Sequence, residues 1–318
     1  MRFLKHHYHN LIYNDSAFGI ALVLLATLLL SVRSILVKLA YIENIAVIDL
    51  LYYRFLFTIP LLWAFTFYKK KKEFFTKLVD KKIAINCVLA GFFGYYLATL
   101  SDFHSLKLID ANVNRIIIYT FPIYVLLWNS ILDKSLPSKK EGLSFLVVQI
   151  SLYFILGGFD ISISSSNKIG AGLALLAAIS YSIYIIINQQ IGKKIGSILF
   201  TTYAVTFSFI FINIHFFSFN DATLGTLISK KGYAIILTMA AFCTFIPLLL
   251  IAEGIKRIGA SRFALLNTTG PIMTISLCFF ILGETMTLLQ IIGSIFIISI
   301  LYITQREKAN KEVCIKKL

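Results

Sequence analysis

Charge is scarce in this sequence. Only 14% of its 318 residues are Asp, Glu, Lys or Arg, against about 25% in a soluble domain. Acid is scarcer still, with 15 Asp and Glu set against 30 Lys and Arg. No acidic pair or His/Cys cluster offers the metal and diphosphate ligands that a lipid or prenyl transferase needs, so an integral membrane enzyme is the weaker alternative. The four cysteines, Cys87, Cys243, Cys278 and Cys314, match no metal-ligand spacing and no disulfide framework. Three of them lie in apolar runs, where a reduced thiol acts as a small hydrophobe. No Walker loop, dinucleotide fingerprint or nucleophile elbow occurs, which counts against ATP-driven work. The only His cluster, HHYH at 6–9, is terminal. No cofactor and no metal site is expected.

What is abundant is apolar surface, at 58% of residues. A hydrocarbon core of about 30 Å takes roughly 20 apolar residues per helix. On that criterion the chain predicts ten spans, at 18–40, 47–68, 83–101, 112–132, 143–159, 169–190, 197–218, 233–254, 261–282 and 287–305. The third is interrupted by Gly91 and Gly94, and the fifth is the shortest. The start is polar and basic, and the apolar run after it lacks a cleavage site of small residues, so the first span reads as retained.

Basic residues test this count. With the N-terminus inside, the inner segments carry 22 Lys and Arg and the outer ones five. The other three, Arg33, Arg54 and Arg115, fall within spans. This asymmetry is the positive-inside pattern, and it places both termini in the cytoplasm. It also assigns the net charge of +15 to loops that set topology, not to nucleic-acid binding. The loops are too short for a soluble partner domain, and a channel would need polar faces on several helices.

The chain repeats itself weakly. Residues 103–135 lie over 252–284 at an offset of 149, pairing Lys107 with Lys256, Ala111 with Ala260 and Pro122 with Pro271. Residues 26–38 lie over 177–189 at an offset of 151, pairing Ala26 with Ala177 and Ser31 with Ser182. Five spans per copy is an odd number, so the second copy enters the membrane inverted, as in secondary transporters. Pro122, Gly270 and Pro271 then read as kinks at matching places in spans four and nine, where freed carbonyls are tolerated beside a cavity.

These residues resemble the drug/metabolite transporter superfamily, specifically its EamA-type ten-helix permeases. The second copy carries the likeness in Gly259-Ala260-Ser261, Gly270-Pro271, Gly283-Glu284 and Gly293. The first copy keeps Pro122 but has Ser135 at the position matching Glu284, with Asp133 two residues before it. Arg54, within YYRFLFTIPLLW, sits where such proteins often place an arginine. The resemblance implies an all-α integral membrane permease for small metabolites, often an exporter. Its expected parts are a cytoplasmic segment 1–17, repeats at 18–159 and 169–305, an extracytoplasmic linker 160–168 and a basic cytoplasmic tail 306–318.

Polar groups inside spans mark the candidate site, because each membrane charge costs about 2.5–3.5 kcal/mol on insertion scales. Arg33, Arg54 and Arg115 lie at similar depth in the outer half. They read either as a vestibule for carboxylate or phosphate or as partners of Glu43, Asp49, Asp102 or Asp110. Tyr95, Asn114, Tyr119, Tyr181, Tyr184, Asn188 and Asn267 complete the expected cavity; Tyr181, Tyr184 and Asn188 share one helix face. Tyr52, Tyr53 and Tyr302 read as interfacial belt. Asp102, Glu253 and Glu284 are candidates for coupling to a proton or counter-substrate, with Glu284 first a structural helix-end residue. The partners expected are a small-molecule cargo and membrane lipid, with no nucleic acid, for a monomer or homodimer. An amino acid or related zwitterion is the expected cargo, with an anionic organic phosphate or nucleotide conjugate as the alternative. The abundance of Ile, Phe, Lys and Asn suggests an AT-rich bacterial genome, and hence a bacterial cytoplasmic membrane.

Overall fold

The computed structural model describes residues 2–70, 80–132, 134, 139–155, 165–219, 228–258, 263, 266–267 and 269–315. Side chains before residue 17 and after residue 303 lie outside that description, the His cluster among them. So do Asp133, Ser135 and Gly259-Ala260-Ser261. Helices are α1 (Arg2–Ile42), α2 (Val47–Lys70), α3 (Lys81–Leu108), α4 (Ala111–Leu132), α5 (Lys139–Ile155), α6 (Asn167–Gly192), α7 (Ser197–Phe219), α8 (Lys230–Ile258), α9 (Gly270–Leu282) and α10 (Leu288–Ile315). No strand occurs among the described residues.

Seven of these helices, α1–α4 and α6–α8, are long and apolar enough to cross a bilayer; Gly270–Leu282 and Leu288–Ile300 are shorter apolar helices. The backbone of the polar stretch before the first expected span continues into α1 as one helix of 41 residues. Phe279, Phe280 and Leu288 stand well exposed on α9 and at the start of α10, as side chains facing lipid do. Inside, hydroxyls satisfy themselves along their own helices. Thr27 donates to the Val23 carbonyl at 2.9 Å and Thr58 to that of Arg54 at 2.8 Å.

Gly91 and Gly94 do not break α3. They lie in a π-helical stretch, Gly91–Leu97, through which the helix runs on. A Cβ on Gly94 would sit 2.5 Å from Cγ of Tyr184, so the absent side chain is what admits that ring.

The two halves of the chain share details that the sequence offset of 149 only hints at. A second π-helical stretch occupies Ala241–Phe245 of α8, the counterpart of the one in α3. Asp80 caps α3 by accepting from the amides of Lys82 and Ile83, and Ser229, which is 149 residues on, caps α8 by accepting from that of Gly232. Thr120 donates to the Ile117 carbonyl at 2.6 Å, just before Pro122. Its counterpart Thr269 donates to that of Leu266 at 2.7 Å, just before Pro271.

Packing obeys the same exchange. Helix α1 lies along α8 as α6 lies along α3, and α1 meets α9 as α6 meets α4. Three contacts map onto themselves: α2 with α7, α4 with α9, and α5 with α10.

Candidate functional site

A cavity of about 190 Å³ opens where α1, α2, α3, α4, α6, α8 and the approach to α9 converge. That is smaller than the roughly 300–1,000 Å³ of sites for drug-sized ligands, so the space suits a small metabolite. Helix α3 presents Gly94, Tyr95, Ala98, Thr99 and Asp102, and α8 presents Cys243, Thr244, Pro247, Leu248 and Ile251. Each of these five pairs is separated by 149 residues, as are Ile118 and Asn267, which also face the cavity. Equivalent positions of the two copies therefore face one cavity.

Equivalent positions carry unlike chemistry. The ionised side chains on the wall are Arg33, Arg54, Asp102 and Arg115, all from α1–α4, whereas α8 offers Pro247, Leu248 and Ile251. Arg33 donates from Nη2 to Oδ2 of Asp102 at 2.6 Å, with the carboxylate almost wholly buried. Arg115 donates to the hydroxyl of Ser34 from Nε, at 3.0 Å, and from Nη2.

Arg54 differs from both. It is 3% exposed, and its guanidinium carbon lies 4.6 Å from the ring centre of Phe55 and 5.0 Å from that of Phe103. Among the described residues nothing accepts from its Nε, and Arg33 Nε and Asp102 Oδ1 are likewise buried without partners. Two aromatic faces hold the arginine by cation–π attraction, but they leave its Nε unsatisfied.

An aromatic lining surrounds these charges. Tyr95 and Tyr184 share a hydrogen bond between hydroxyls at 2.9 Å, and Tyr184 stacks on Tyr181 with ring centres 5.5 Å apart. Phe121 meets Tyr181 edge-on at 5.0 Å. Tyr119 faces the cavity, with its hydroxyl against α9 at Gly270, where a Cβ would stand 1.9 Å from that oxygen. Ser31 donates at 3.2 Å to the Gly270 carbonyl, tying α1 to the proline turn.

Of the residues expected from sequence, the structure brings Arg33, Arg54, Tyr95, Asp102, Arg115, Tyr119, Tyr181 and Asn267 together on this wall. Tyr184 stands one layer behind, supporting Tyr95 and Tyr181. Asn114 is buried elsewhere and donates to Ser105 at 3.0 Å, and Asn188 sits in the π-helical end of α6. Glu253 pairs with Arg257 one turn on at 2.8 Å. Glu284 holds two parts of the fold together. Gly283, left-handed at φ 67°, ends α9 and turns the chain. The Glu284 carboxylate then accepts from the amides of Ala111 and Asn112 at 3.0 and 3.1 Å, capping the N-terminus of α4. Thr99, Thr244, Pro247, Leu248 and Ile251 carry no signal of their own in the sequence. Adding 149 to Tyr95, Ala98, Thr99 and Asp102 would have found the last four.

Comparison with known proteins agrees with this architecture. The sequence profile of the EamA-like transporter family matches residues 17–157 and again 168–305. An uncharacterized transporter of Bacillus subtilis, YcbK, is 30% identical over 283 residues, covering 88% of this chain and 90% of its own. An uncharacterized transporter of Archaeoglobus fulgidus is 23% identical over 80% of this chain and 86% of its own. A solved crystal structure superposes with a TM-score of 0.58 at 14% identity, covering 90% of this chain and 96% of that one, which speaks for the fold. Several helices able to span a bilayer mark a multi-pass membrane protein, and the chain belongs to the EamA-like transporter family.

Proposed function

We propose that the chain is a secondary transporter that carries a small organic anion through the central cavity by alternating access. In this reading ten helices form two inverted five-helix repeats with both termini in the cytoplasm, and the protein sits in a bacterial cytoplasmic membrane. The repeated π-helical stretches, caps and proline turns support the repeat, and rocking about the shared axis would expose the cavity to each side in turn.

The observation that carries the anion is Arg54. Three guanidiniums face one carboxylate on the wall, which leaves two positive charges uncompensated, and Arg54 Nε has no acceptor among the described residues. A buried cation without a partner is costly, and a carboxylate or phosphate satisfies it with charge-assisted, bidentate bonds.

A second reading, a zwitterion such as an amino acid, is favoured by Asp102 Oδ1, which has no donor among the described residues and offers a seat for an ammonium. It leaves the excess positive charge in place and ranks second.

Uptake into proteoliposomes of matched organic acids, their neutral amides and zwitterions tests the choice. Arg54→Gln is expected to lower acid uptake about 10- to 100-fold, the equivalent of losing one charge-assisted interaction. Size-exclusion profiles check that the variant is folded. Uptake confined to zwitterions and indifferent to Arg54→Gln would overturn the anion reading.

A further inference from the structure

We infer that the cargo is amphiphilic: one acidic group bound by Arg54 and Arg115, joined to an apolar body seated on Pro247, Leu248 and Ile251. This rests on the anion reading and adds what the other half of the site selects. Position by position, α8 answers Ala98, Thr99 and Asp102 of α3 with Pro247, Leu248 and Ile251. A cargo polar all over would find charged partners on one wall but only Thr244 and the Cys243 thiol among the polar α8 side chains on the other, where burial without a partner is penalised. Phosphosugars and nucleotide conjugates are polar in this way, and the cavity of about 190 Å³ is small for them. A branched-alkyl or aryl carboxylate meets both walls. Its acid reaches the guanidiniums, its apolar body leaves water for the α8 surface, and an aryl ring finds Tyr181 beside it.

The test is calorimetric titration of the full chain in lipid nanodiscs, with neutral 3-phenylpropionamide as a control and four anionic probes: 3-phenylpropionate, 4-methylpentanoate, acetate and inorganic phosphate. The first two are expected to bind at least tenfold more tightly than the last two, with Arg54→Gln weakening all four about 10- to 100-fold. Leu248→Thr, which installs the residue found at the equivalent position 99, is expected to shrink the ratio between 3-phenylpropionate and acetate. If acetate or phosphate binds as tightly as 3-phenylpropionate and Arg54→Gln still weakens it, the site takes anions but the amphiphile inference falls. If 3-phenylpropionamide equals the acid in affinity and Arg54→Gln is without effect, both readings fall. Absence of binding by both apolar acids at millimolar concentration also overturns the inference. The wild-type series decides the question even where a variant fails to fold.

Discussion

At the scale of single residues, the site depends on close approaches that only small side chains allow. Gly270 faces the Tyr119 hydroxyl at a distance no Cβ tolerates, and Tyr119 is itself buried. Gly270→Ala should therefore destabilise the protein by about 1–3 kcal/mol, the usual range for overpacking. Thermal unfolding in nanodiscs measures this, and adding Tyr119→Phe, which removes the clashing oxygen, should restore part of the loss. An unchanged melting temperature in Gly270→Ala would mean the ring moves freely. The arginines were legible in the sequence because membrane charges are rare and expensive. Their division of labour was not: Arg33 pairing with Asp102, Arg115 with Ser34, and Arg54 with two aromatic rings depend on which helices touch. Glu284 shows the same limit, since the helix N-terminus it caps lies 173 residues away.

At the scale of elements, the prolines of α4 and α9 sit in matched turns. Pro271 does not kink a helix as expected but stands in the first turn of α9, where its missing N–H costs little, and in each matched turn a threonine hydroxyl takes up a nearby carbonyl, that of Ile117 or Leu266. If these turns are the hinges of alternating access, Pro122→Ala with Pro271→Ala should slow uptake about tenfold while cargo affinity stays within about threefold, because gating and binding separate. Initial uptake rates and nanodisc titrations report the two quantities. Equal loss in both would make the turns part of the binding wall instead. The approximate places of the long apolar helices were legible from run length, and Pro122 and Pro271 from the repeat, but not that α1 begins at Arg2, α9 at Gly270 or that α10 runs on to Ile315. The π-helical stretches were not, because glycines that look like breaks are also what lets Tyr184 and the backbone of α7 approach α3.

At the scale of the whole molecule, two halves of matched geometry and unmatched chemistry enclose one cavity. Glu43, just beyond α1, accepts from Lys231 at 2.7 Å and from Ser229 at 2.8 Å, joining the first half to the start of α8. These bonds hold the Glu43 carboxyl below its ordinary range. A lowered carboxyl pKa contributes stability above the unfolded value of about 4.3, lost as pH falls through the folded value. The gap in melting temperature between wild type and Glu43→Gln should thus be present near neutral pH and close in acid. A gap that persists unchanged in acid would contradict the ion pair. The repeat was legible as a few identities at a constant offset, but the cavity lined by both copies needed the helices assembled. The central claim, one cargo cavity reached alternately from both sides, is tested most directly by Cys243, which lines it. With Cys87, Cys278 and Cys314 replaced by serine, Cys243 can be challenged with a sulfonate-bearing methanethiosulfonate in right-side-out and inside-out vesicles. Access from both sides requires modification from both faces, slowed in each by 3-phenylpropionate; modification from one face under all conditions, or at a rate no organic anion alters, would rule it out.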